Sequence, residues 1–280
     1  MKKALFVSFL LHTFTSFGIG KEAADDIPFQ KYYTVVWGGD HVRSIQNGSV
    51  VTLSLDQYSG GGFGSKISYS SGFFHKRIKL PRNNDTHAVL PTFYLKSQAS
   101  NSDEIDFEFF GNDDGSFILS TNIFTNGIGG REQKFKLWFD PTTDFHSYTI
   151  LWNTKQIGFF IDNIPIRVYR NVPNVPYPFQ PMKVLATIWE ATWLSGGRSA
   201  NWALAPFVVT YMDFMDDACP IESRVPCSSP KFWWNQPRYW RLDAQQLKEY
   251  EDIKSKNLIY DYCSDKERYP TAPPECSVAP

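Results

Sequence analysis

Apolar and polar residues alternate in short runs along most of this chain. In "FHSYTILWN" the alternation places Tyr148, Ile150 and Trp152 on one face of a strand. "IGFFIDNIPIRVYR" reads as a hairpin turning at Asp162-Asn163, with Ile166 and Val168 facing one way. "FVVTYMDFM" is a further strand. Turn-rich stretches separate such runs, and residues 60–64, 81–85 and 127–130 are expected as loops. Many short strands from about residue 30 to about residue 215, with little helical periodicity, predict an all-β jelly roll, a β-sandwich of two antiparallel sheets.

After about residue 216 the pattern changes. Cysteines begin and prolines become frequent. "DAQQLKEYEDIK" predicts a short helix, capped by Asp243 with Gln246 three residues on, and with Leu247, Tyr250 and Ile253 sharing a face. The expected organisation is a leader over 1–20, a jelly-roll domain over 27–215, and a C-terminal extension over 216–280 packed on it.

One strand breaks the mixed polar texture. "SDEIDFEFFG", residues 102–111, holds four carboxylates in six residues. Side chains alternate along a strand, so Glu104, Asp106 and Glu108 share one face and Ile105, Phe107 and Phe109 the other. A solvated face would normally mix in Lys or Arg, because like charges in a row repel. In a two-sheet sandwich the acidic face would line an open concave cleft. Glu104 and Glu108 have Cα atoms about 13 Å apart along a strand, and leaning side chains bring the carboxyls to about 5–5.5 Å. That spacing suits retaining glycoside chemistry, in which one carboxylate attacks the anomeric carbon and the other is acid and then base. The charge of Asp106 between them can hold a proton on a neighbour and tune both Glu carboxyls. Strand geometry alone does not say which Glu plays which part.

Composition adds a ligand class. The 280 residues carry a formal net charge of -1, with 16% aromatic residues and nine Trp. That balance argues against nucleic acid and suits a neutral ligand that stacks on rings. At the N-terminus, Lys2 and Lys3 precede an apolar run and then small residues near Gly18 and Gly20, the pattern of a secretory signal. His12, Thr13 and Ser16 break the run, and it falls short of the roughly 20 apolar residues of a membrane span. Cys219, Cys227, Cys263 and Cys276 read as two disulfides in an exported chain. Three connectivities are open, and pairing neighbours in sequence is the simplest. Asn47 and Asn84 begin glycosylation sequons. His41, His75, His87 and His146 show no ligand spacing, so no metal and no cofactor are expected. Trp138 and Trp152 lie in strand patterns and are expected in the core.

The motif "DEIDFEF" resembles the catalytic signature of plant xyloglucan endotransglucosylase/hydrolases, within glycoside hydrolase family 16. "WFDPTTDFHSYTILWN", "QPMKVLATIW" and "NLIYDYCSDKERYPTAPPEC" resemble the same family in the same order. The resemblance implies Glu104 as nucleophile, Glu108 as general acid/base and Asp106 as helper. It implies sugar contacts at Asn122, Arg131 and Glu132, an aromatic platform at Trp193 with Gly196 and Gly197, and an acceptor-side Arg268. It implies sequential disulfide pairing. It implies a secreted, monomeric enzyme of the cell wall and apoplast acting on xyloglucan polysaccharide with xyloglucan oligosaccharides as acceptors, by transfer or by hydrolysis. A glucan-binding, lectin-like protein without activity is the competing class. Plain alternatives stand beside these: Arg131 and Glu132 can pair with each other on a surface, and Trp193 can be core. The sequence departs from the family at Ser102, Asn112, Ser120 and Gly130, and the loop over 189–197 is shorter than the common form.

Overall fold

The computed structural model describes residues 28–214 and 216–280. The leader expected over 1–20 lies outside the described residues.

Two antiparallel sheets face each other. The concave sheet runs, strand by strand, through Tyr33–Trp37, Gly61–Ser65, Met182–Glu190, Val89–Ser97, Glu104–Gly111, Phe117–Phe124, Gln133–Lys136 and Leu258–Asp261. The convex sheet runs through Val42–Ile45, Val50–Leu55, Phe207–Met212, Tyr69–Lys79, His146–Trp152, Gln156–Ile161 and Ile164–Arg170. Met182 opposite Tyr69 links the two.

The inner faces make the core. Ile105, Phe107 and Phe109 are fully buried, as the alternation requires. Phe107 stacks on Phe93 and meets Phe159 and Tyr148 of the convex sheet edge-on, at ring distances of 5.2 and 5.7 Å. Phe109 meets Tyr148 at 4.9 Å. Burial of these rings fixes the register of the acidic strand, since a slip of one residue would turn the phenylalanines into the cleft. Tyr148, Ile150 and Trp152 are all core residues. The hairpin turns at Asp162 and Asn163, both at positive φ (48° and 67°), a conformation that Asp and Asn tolerate. Ile166 beyond it is fully buried and Val168 only partly.

Two expectations fail in instructive ways. Residues 61–65 are a buried strand, not a loop. The glycines are there for closeness: a Cβ on Gly62 would sit 2.5 Å from the Trp37 indole nitrogen, and one on Gly64 would sit 2.8 Å from Leu185. Trp138 is not core; it is 38% exposed and touches Phe139 edge-on just past its strand.

The C-terminal extension is woven into both sheets. Leu258–Asp261 adds a strand beside Gln133–Lys136, and Asp217–Pro220 pairs with the start of Tyr69–Lys79. The helix Ala244–Asn257 begins with the expected reciprocal cap between Asp243 and Gln246. It buries Tyr250 and Ile253, but Leu247 stays exposed, so the apolar face is shorter than predicted. Disulfides join Cys219 to Cys227 and Cys263 to Cys276, each with a Cα separation of 5.5 Å.

Candidate active site

The acidic strand Glu104–Gly111 lies in the middle of the concave sheet, so each acid has a neighbour on either side. Glu104 stands between Lys96 and Phe124, Asp106 between Tyr94 and Asn122, and Glu108 between Thr92 and Ser120. The three acids open into one cleft of about 380 Å³. Trp37, Trp189, Tyr94, Asn122 and Phe124 complete much of its wall. Asp103, the fourth carboxylate of the run, faces away. It is buried and accepts the backbone N–H groups of Asn126, Phe179 and Gln180 at 2.8–2.9 Å, which anchors two loops.

The three cleft acids differ in surroundings. Glu104 forms an ion pair with Lys96 Nζ at 2.5 Å. Asp106 is 5% exposed, and burial pushes its carboxyl well above the usual range. The charges of Glu104 and Glu108 push the same way, Lys96 opposes them, and a hydrogen bond to Glu104 favours the protonated form. Its Oδ1 has no hydrogen-bond partner among the described residues. Burial pushes Glu108 up to about 7. Ser120 is close enough to favour charge on Glu108, though its hydroxyl makes no well-aligned hydrogen bond. The charges of Glu104 and Glu132 raise Glu108 further, and Lys134 opposes them. The cleft thus offers an ion-paired Glu104 and a Glu108 that can be protonated near neutrality, with between them an Asp106 whose burial favours its protonated form. That is the equipment for nucleophilic attack with proton donation to a leaving oxygen.

The remaining predicted residues divide. Asn122 lines the cleft, and its Oδ1 accepts the N–H groups of Ile123 and Arg131. The Arg131 side chain is not in the cleft wall. It is buried against the extension, with Nε donating to Glu275 at 2.7 Å and Nη1 donating to the Ile128 and Ile123 carbonyls. A buried guanidinium needs such acceptors, and these turn its Nε and Nη1 away from the cleft wall. Glu132 accepts instead from Arg268 Nη1 at 2.7 Å, so Arg131 and Glu132 do not pair with each other. Glu132, whose charge raises Glu108, thus links Arg268 to that carboxyl. Gly130 makes room for this arrangement: its φ is +85°, and a Cβ there would sit 2.4 Å from the Tyr269 hydroxyl and 3.0 Å from Arg268. Trp193 is 58% exposed and meets Phe110, at the end of the acidic strand, edge-on at 5.6 Å. Gly196 and Gly197 follow it at positive φ (66° and 91°) and close that loop. Asn47 and Asn84 are both exposed.

Two cations on the strands flanking the acids are not singled out by the sequence. Lys96 and Lys134 come from flanking strands, opposite Glu104 and Ser120 respectively. Lys134 Nζ lies 5.3 Å from the rings of both Phe110 and Tyr260. The alternation Thr92, Tyr94, Lys96 in "PTFYLKS" was the available signal. Asp85, His87 and Asp113 bring three ligand-type atoms within 4.8 Å of one another. Their atoms are already engaged: His87 Nδ1 meets Asp85 at 2.7 Å, and Arg198 holds Asp113 at 2.8 Å.

Residues 29–207 match the glycosyl hydrolases family 16, and residues 228–276 match the xyloglucan endo-transglycosylase (XET) C-terminus. Xyloglucan endotransglucosylase/hydrolase protein 2 of Arabidopsis thaliana is 46% identical, covering 96% of this chain and 94% of its own. Xyloglucan endotransglucosylase protein 2 of Diospyros kaki is 44% identical, covering 90% of this chain and 88% of its own. Among solved structures, a Bacillus licheniformis β-glucanase superposes with a TM-score of 0.56 at 22% identity, covering 68% of this chain and 97% of that one. The Crh5 transglycosylase superposes with a TM-score of 0.54 at 18% identity, covering 65% of this chain and 78% of that one. These two likenesses bear on the fold.

Proposed function

The chain belongs to glycosyl hydrolase family 16, among the xyloglucan endotransglucosylase/hydrolases, and on that premise we propose that it cuts and rejoins xyloglucan by retaining glycosyl transfer. In this reading Glu104 attacks the anomeric carbon of a backbone glucosyl unit while Glu108 protonates the departing oxygen. A covalent glycosyl-enzyme results. Glu108, now a carboxylate, takes a proton from the 4-hydroxyl of an incoming xyloglucan end. That oxygen attacks the anomeric carbon and frees Glu104 with net retention. Asp106 is the helper between them. The observation that carries this reading is the contrast along one strand: an ion-paired Glu104 and a Glu108 pushed up to about 7.

Asn122 is proposed as a sugar contact beside Asp106. Trp193, Gly196, Gly197 and the Arg268–Glu132 pair are proposed to bind the acceptor, on the side where Lys134 and Tyr260 also lie. Arg131 is proposed to support this side through Glu275 rather than to touch sugar. The short loop and the small residues Ser120 and Gly130 leave fewer acceptor contacts. Transfer should therefore persist but need more acceptor than in a relative with the longer loop. The leader pattern, the disulfides and the exposed Asn47 and Asn84 support a glycosylated protein secreted to the cell wall and apoplast, and we take it to act as a monomer.

The test uses labelled xyloglucan oligosaccharide with polymeric xyloglucan, following label incorporation and new reducing ends across acceptor concentration. Incorporation that rises with acceptor is the expected result. Reducing ends dominating at saturating acceptor would make the protein a hydrolase. Neither signal would make it a binding protein.

A further inference from the structure

Lys96 meets the cleft through Glu104, with which it pairs, and the proposed reaction gives it no part. It stands opposite Glu104 in the ladder and opposite Lys183 on its other side. Like charges directly opposite repel, so the Lys96 ammonium is driven toward the acidic strand. There it meets Glu104 Oε2 at 2.5 Å, with its own side chain 39% exposed. Asp106, hydrogen-bonded to Glu104, lies within the same field.

We propose that Lys96 is a positioning residue that sets the lifetime of the glycosyl-enzyme by stabilising Glu104 as a leaving carboxylate. This rests on the reading of Glu104 as nucleophile. The charge balance gives the direction. In the first step a Glu104 oxygen bonds to the anomeric carbon, the glycosidic bond breaks, and the departing oxygen takes the Glu108 proton. Glu104 becomes a neutral ester, and Lys96 loses the anion it was paired with. In the second step the acceptor oxygen bonds to the anomeric carbon, its proton goes to Glu108, and the ester bond breaks. The electron pair returns to Glu104, again facing Lys96. An ammonium at that position favours the state in which Glu104 is charged. It therefore opposes formation of the intermediate and assists its breakdown. Water and sugar acceptors meet the same ester, so the ratio of transfer to hydrolysis should be unaffected.

The experiment forms the intermediate with an activated 2-deoxy-2-fluoro xyloglucan-oligosaccharide glycoside. Intact-protein mass spectrometry then follows formation and, after addition of xyloglucan oligosaccharide, decay. In Lys96→Met the decay should slow about fivefold, the equivalent of one partly exposed ion pair, while formation is no slower than in the parent. Lys96→Arg should decay like the parent. Lys96→Gln repeats the test should the Met variant fail to fold. Peptide mapping locates the label. A label on Glu104 with unchanged decay, or with both steps slowed equally, overturns the role of Lys96 alone. A label on another residue overturns the nucleophile reading itself, whatever the rates.

Discussion

Glu104 and Glu108 are the same side chain on the same face of the same strand, yet one has a cation in contact and the other has none among the described residues. At Glu104 the neighbouring strand supplies Lys96. At Glu108 it supplies Thr92, and the strand on the other side supplies Ser120. Lys134 stands one strand further off, its ammonium between two rings. Burial therefore prevails at Glu108, and its carboxyl rises to about 7. The flanking strands give the two side chains different neighbours, a cation at Glu104 and hydroxyls at Glu108.

The largest effect is expected at Glu104. Glu104→Gln keeps the shape and removes the proposed nucleophile, so transfer and hydrolysis should both fall by at least about 10³-fold. Circular dichroism and melting should be near those of the parent. Substantial turnover in the folded variant would contradict the assignment. At the other end, Glu108→Ala should lose about 10²–10⁴-fold on polysaccharide. Aryl glycosides with good leaving groups need less protonation, so their first step should suffer less. Equal losses on both substrates would remove Glu108 from the acid role.

A stability measurement sharpens the contrast. Glu108 has an ordinary value of 4.5 and is raised to about 7 when folded. A raised carboxyl destabilises the fold where it must ionise, so the penalty is absent below about 4.5 and full above about 7. Glu108→Gln should thus stabilise the protein by about 1–3 kcal/mol at pH 8 and by nearly nothing at pH 4. Denaturant unfolding at the two pH values checks this, and a pH-independent difference would argue against ionisation as the cause. The smallest effect is expected at Arg268→Ala. It frees the Glu132 charge, which already raises Glu108. The basic limb of kcat/KM should move slightly to higher pH, and the acceptor KM should rise about threefold. An unchanged acceptor KM would place Arg268 outside the acceptor site.

Local signals were legible where a local rule decides the outcome. The two-residue period of the acidic strand, the Asp162-Asn163 turn and the Asp243 cap each depend on near neighbours. What escaped detection depends on register between distant strands. Lys96 is eight residues from Glu104 in sequence, but only the ladder places it in contact. Arg131 meets Glu275 across 144 positions, so its burial could not be read from "GGREQKF". Residues 60–64 looked like a loop because glycine usually breaks strands. Here glycine lets Trp37 lie flat on the sheet beside the cleft.

The most direct test of the divided acids is a pH titration of the free protein with carbon-13 at the glutamate δ-carbons. Asp106 is silent under this label, and Glu108 is identified as the signal lost in Glu108→Gln. This signal should titrate with a midpoint of about 7. A midpoint below about 5, in the range of ordinary glutamates, would contradict it.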